Sequence, residues 1–144
     1  MFPGFDPPSH KPFPATSAMV ESLFAIGLGG ATGSMIRWRL GLLLNGVHPD
    51  LPIGTLVANL TAGLIIGASI AFFVKHPALS GDWKLFVLTG LMGGLSTFST
   101  FSAEVTAHMQ QGRLGWALAE IVLHVGGSLL LTTLGLLTIS SLPI

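Results

Sequence analysis

Gly90-Leu91-Met92-Gly93-Gly94-Leu95-Ser96-Thr97-Phe98-Ser99-Thr100-Phe101-Ser102 sets paired glycines and five hydroxyl side chains in the middle of an apolar stretch running over about residues 84–108. That stretch is long enough to cross a bilayer, which needs about 20 residues. Residues 90–102 do not encode a continuous helix. Gly93 and Gly94 have low helix propensity, and the hydroxyl run can satisfy backbone groups released by a break. The pattern predicts a membrane helix broken near residues 93–98. Interrupted backbone at mid-membrane is tolerated only where it is buried in protein or lines a water-filled site. The same residues that shape the fold therefore mark a candidate site. Carbonyls freed there suit a small hard cation such as Na⁺, by the logic of broken helices in transporters.

Three further apolar stretches surround this one, at about residues 19–44, 52–74 and 114–141. Together they predict an all-α membrane protein of four transmembrane helices. Charged residues make up 8% of the chain and the mean hydropathy is +0.76, too little charge to coat a water-facing surface. The connections carry the helix breakers: Asn45, Gly46, Pro49, Asp50 and Pro52, then His76, Pro77, Gly81 and Asp82, then Gln110, Gln111 and Gly112. Such short links make sequential helices antiparallel neighbours. Residues 1–18 contain Pro3, Pro7, Pro8, Pro12 and Pro14 and are expected to form a flexible, solvated tail ahead of a channel-sized domain at 19–144. With no cysteine, disulfides and thiolate chemistry are excluded. A formal net charge of zero leaves no electrostatic footprint for nucleic acid.

Gly29 with Gly33, Gly63 with Gly67 and Gly90 with Gly94 are small-xxx-small pairs, each one turn apart on a helix face, which allow close helix approach. The cations are evenly shared between the two membrane sides. Lys11, Lys75 and Lys84 fall on one, and Arg37, Arg39 and Arg113 on the other, so no preferred orientation is encoded. Either copies insert both ways and pair antiparallel, or the balance is only nominal because Lys11 is too remote to count or Arg37 lies inside its helix.

Polar groups at bilayer depth are expensive and are functional candidates by default. Thr55 and Asn59 sit one turn apart in the second segment; Asn59 either glues helices together or offers donors to a bound ion. Phe98 and Phe101 project from one face if the chain is helical beyond the break. They either pack or face lipid, or present their positive ring edges to an anion. Asn59, Ser99, Thr100 and Ser102 are the donors available to such an anion. His124, Ser128 and Thr132 form one polar stripe on the fourth helix, lining a path or bonded to their own backbone. Arg37 and Glu104 are the ionisable groups near membrane depth, and Glu120 is expected close to the membrane interface.

These residues resemble the small bacterial fluoride channels of the Fluc or CrcB family. The resemblance is carried by Gly29-Gly30-Ala31-Thr32-Gly33-Ser34-Met35-Ile36-Arg37, by Gly54-Thr55-Leu56-Val57-Ala58-Asn59 and by residues 93–102. It implies passive fluoride export across the bacterial inner membrane by an antiparallel, dual-topology homodimer. It also implies a central Na⁺ held by the backbone carbonyls of Gly93 and Ser96 from both subunits. On that resemblance Phe98 and Phe101 are the pore phenylalanines and Asn59 the pore asparagine, with Thr55, Ser99, Thr100, Ser128 and Thr132 as the polar track. Arg37 and Glu104 are then vestibule or structural residues. His124 departs from the family pattern, which favours Tyr there.

Fluoride is small and strongly hydrated, so a pore must replace its water with convergent donors. No Walker-type loop is present to power a pump. The competing function is a small multidrug-type exporter coupling protons to substrate through a buried carboxylate. Glu104 is the candidate for that carboxylate, whereas that class places it in the first helix, where Glu21 stands only at the entrance. A non-conducting scaffold subunit would require the hydroxyls to be glue alone.

Overall fold

The computed structural model describes residues 16–143, so the Pro-rich stretch up to residue 15 lies outside the described residues. Four helical spans cross the molecule: Thr16–Leu44, Ile53–Lys75, Gly81–Gln110 and Leu114–Ser141, each long and apolar enough for a bilayer. No strand occurs among the described residues. Thr16, Ser17 and Ala18, expected in the tail, are already helical.

The third span is not uniform. Leu85–Leu91 is wound wider than an α-helix, and Met92 N–H bonds Val87 O, five residues back. A short α-helix at Met92–Leu95 follows, then Ser96 (φ −75°, ψ 153°) and Thr97 (φ −150°, ψ 113°) are extended. Helix resumes over Phe98–Gln110, with the Thr97 side chain accepting from Thr100 N–H as an N-cap. A second wide turn, Val122–Gly126, lies in the fourth span and contains His124.

The glycine pairs find each other. A Cβ built on Gly33 would lie 2.7 Å from Leu95 N, and one on Gly90 would lie 3.0 Å from the Gly29 Cα, so the first and third spans touch backbone to backbone. Gly67 and Gly135 do the same for the second and fourth spans, at 3.0 Å from Leu136 N and 2.9 Å from Ala68 N. Only glycine permits this approach, which maximises dispersion contact where no hydrophobic effect drives helices together. The tightest pairings are thus first with third and second with fourth. The sequential neighbours expected from the short links meet less extensively, the third and fourth mainly beside their connection. A link fixes proximity at one end only, whereas a glycine groove fixes it along the helix. Ala58, Ala62, Met92 and Leu95 form the buried centre joining the two pairs.

Candidate functional site

The site is built where the second span meets the extended residues of the third. Thr97 N–H donates to Asn59 Oδ1 at 2.7 Å, and Asn59 Nδ2 donates back to Thr97 O at 3.0 Å. The amide oxygen thus substitutes for the helix acceptor that Thr97 N–H has left, and the amide nitrogen adds a bond to the N-cap carbonyl. Its other Nδ2 hydrogen goes to His124 Nδ1, 3.0 Å away. Both amide hydrogens and the carbonyl of Asn59 are engaged, so in this conformation Asn59 holds backbone and has no spare donor.

Those bonds determine which carbonyls are released. In an unbroken helix Gly93 O would take Thr97 N–H and Ser96 O would take Thr100 N–H. The first donor goes to Asn59 Oδ1, and the second goes to Thr97 Oγ1 at 3.2 Å. Gly93 and Ser96 are exposed, and a Cβ on Gly93 would meet nothing within 4 Å. Gly94 O, beside them, accepts from Arg37 Nε at 3.0 Å. Arg37 therefore reaches the third span from inside the first helix.

Phe98 and Phe101 stand edge to face, with centroids 5.5 Å apart. They do not point the same way: Phe101 is 6% exposed and Phe98 76%. Phe101 also stacks on the His124 ring at 4.7 Å. A cavity of about 300 Å³ is lined by Asn59, Thr97, Phe98, Phe101, His124 and Ser128. A second, of about 330 Å³, is lined by Arg37, Asn45, Thr55, Thr97 and Thr100 among others. Thr97 borders both, so two hydroxyl-bearing cavities flank one piece of backbone.

The remaining expected residues divide. Thr100 Oγ1 accepts from Thr97 Oγ1 at 2.9 Å, which leaves its own hydrogen free to donate. Ser99 is exposed, with its hydroxyl 3.3 Å from Thr97 Oγ1. Thr55 donates to Glu104 Oε1 at 2.8 Å, away from the rings. The stripe on the fourth span breaks up: His124 is 3% exposed, Ser128 lines the ring cavity, and Thr132 packs on Gly63 and Gly67.

One buried cluster was missed at the sequence level. Glu120, expected near the interface, is fully buried at 0% exposure, 3.4 Å from His108 Nε2. That nitrogen also donates to Asp50 O at 3.0 Å, while the Asp50 carboxylate pairs with Arg113. This ties the first and third connections together at one end of the bundle. A His at 108, in the last turn of its span, and a Glu at 120, in the second turn of the next, were the available signal.

Four spans packed through glycine grooves, with released carbonyls and hydroxyl-lined cavities at an extended pair, define a multi-pass membrane protein with a polar site inside its third span. The model of the CrcB-like protein, Camphor Resistance (CrcB) family matches residues 24–136. A fluoride-specific ion channel FluC of Paraburkholderia phymatum is 57% identical over 122 residues, covering 85% of this chain and 97% of that one. FluC of Paraburkholderia xenovorans is 57% identical over 124 residues (86% and 98%), and that of Pseudomonas aeruginosa 52% over 122 (85% and 96%). The chain belongs to the CrcB-like family.

Proposed function

We propose that this protein is a fluoride-specific channel of the bacterial inner membrane, not an enzyme, passing F⁻ passively along the groove of Phe98, Phe101 and the hydroxyls of Thr100, Ser99 and Ser128. The observation that carries this is the edge-to-face ring pair, 5.5 Å between centroids, lining one cavity with the Ser128 hydroxyl. Ring edges and O–H groups are the complement of a dehydrated anion. The N-terminus of Phe98–Gln110 adds a positive dipole end beside the same groove.

The working unit is an antiparallel homodimer with a broken third helix at its centre. Phe98 lies outward, and the exposed face around Gly93 and Ser96 has no occupant among the described residues, which fits a face completed by a second copy. Gly93 O and Ser96 O are hard oxygen donors released from helix bonding, and a pair from each subunit would hold Na⁺. Asn59 serves this reading as the bracket that keeps the carbonyls free. Arg37, held on Gly94 O, borders a vestibule with Thr55; Glu104 accepts the Thr55 hydroxyl on Oε1, and the relatives bear the name of a fluoride-specific channel, which favours this reading over a proton-coupled exporter.

Fluoride efflux from liposomes tests the proposal. Phe98→Ile and Phe101→Ile should each lower flux by at least about tenfold while the purified assembly keeps its size, since each removes a ring edge worth about 1 kcal/mol or more in a desolvated site. Undiminished flux in both variants would remove the groove from the permeation path.

A further inference from the structure

Asn59 can be oriented without ambiguity. Thr97 N–H is a donor, so the Asn59 atom 2.7 Å from it is the oxygen, and the amide nitrogen faces Thr97 O and His124 Nδ1. An amide nitrogen only donates, so Nδ1 of His124 must be the unprotonated acceptor and the ring proton sits on Nε2. Nε2 is buried and has no hydrogen-bond partner among the described residues. The ring is therefore held at its polar edge from the Nδ1 side alone, and on its face by Phe101 at 4.7 Å.

We propose that His124 is a positioning residue for conduction, its Nδ1 lone pair orienting the Asn59 amide and, through it, the backbone of Thr97. This deepens the channel reading and rests on it. Without an acceptor at Nδ1 the amide has one satisfied hydrogen fewer and can turn. Thr97 N–H then loses its oxygen and becomes free to return to Gly93 O. The path would lose its backbone geometry without losing any side chain that lines it.

The variants that separate acceptor from bulk are His124→Asn, whose side-chain oxygen occupies the Nδ1 position, and His124→Leu, which fills the space without accepting. In liposomes His124→Leu should lose at least about tenfold in fluoride flux, and His124→Asn should stay within about threefold of wild type, with both eluting as intact assemblies. Nitrogen-15 spectra of the full-length protein in lipid should show His124 with Nδ1 unprotonated and Nε2 protonated, and Nδ1 should shift on Asn59→Ala. Wild-type flux in His124→Leu overturns the proposal, as does equal loss in both variants or a proton found on Nδ1. Wild-type protein that is silent to fluoride counts against the channel reading instead, and the spectra still decide the bracket.

Discussion

Gly94→Ala probes the contact on which the geometry of the third span depends. A Cβ there would stand 3.0 Å from Ser34 N and 3.1 Å from the Gly30 carbonyl carbon, and nearer still to the Gly30 carbonyl oxygen. All three are helix backbone atoms with no rotamer to yield. Restoring an ordinary contact of about 3.5 Å to the Gly30 carbonyl oxygen moves the first span outward by roughly one ångström. Overpacking of this kind destabilises by about 1–3 kcal/mol, offset by up to about 1 kcal/mol from the better helix propensity of Ala. The net loss is about 1–2 kcal/mol. The same displacement stretches the 3.0 Å bond from Arg37 Nε to Gly94 O, so flux should fall as well. Gly27→Ala is the matched control: it lies in the first span with nothing within 4 Å, and only the propensity gain remains. Reversible unfolding by SDS in mixed micelles, read alongside liposome flux, measures both effects. If Gly94→Ala unfolds at the same SDS fraction as Gly27→Ala, the backbone contact does not hold these helices together.

Gly112 has φ 71°, the left-handed region that costs an L-residue about 1–2 kcal/mol, so Gly112→Ala should destabilise by about 1 kcal/mol in the same unfolding assay and Gly112→Asn by less. The Asp50–Arg113 pair is partly exposed, at 23% and 36% of its side chains, and a double-mutant cycle should give a coupling below about 1 kcal/mol that shrinks in high salt. If the released carbonyls of Gly93 and Ser96 bind Na⁺, purification in a large organic cation should shift the assembly toward monomer in size-exclusion chromatography. Unchanged elution and flux would leave that ion without a role.

The four spans were legible because bilayer crossing imposes a length and a composition that local sequence carries by itself. The glycine pairs were legible as faces, but the partner of each face was not. Spacing of i and i+4 says which side of a helix is smooth, and only mutual fit selects first with third over first with second. Asn59 was visible as an expensive polar residue, yet its partner is the backbone of Thr97, 38 residues away, and a side-chain-to-backbone bond at that separation leaves no mark in sequence. Glu120 illustrates the opposite error. A carboxylate near a segment end reads as interfacial on polarity alone, whereas here His108 and the closing connection enclose it. Polarity predicts the cost of depth and says nothing of the partner that meets it.

The released carbonyls and the exposed donors at the extended pair follow from a single rearrangement. Thr97 leaves the helix, and its N–H goes to Asn59 while its hydroxyl takes Thr100 N–H. Each of those bonds satisfies a donor and, in doing so, strips the acceptor from which that donor was taken, at Gly93 and Ser96. Carbonyls are thereby exposed at the end of one half of the span, and the ring-bearing N-terminus of the other half is exposed a few residues on. A break that frees carbonyl oxygens by this route also presents N–H ends and hydroxyls to the adjacent space, so acceptors and donors are exposed together. The tight Gly33 and Gly94 contacts hold the first half in place and Asn59 holds the second, which explains why a rigid packing motif and a lone amide serve the same local structure.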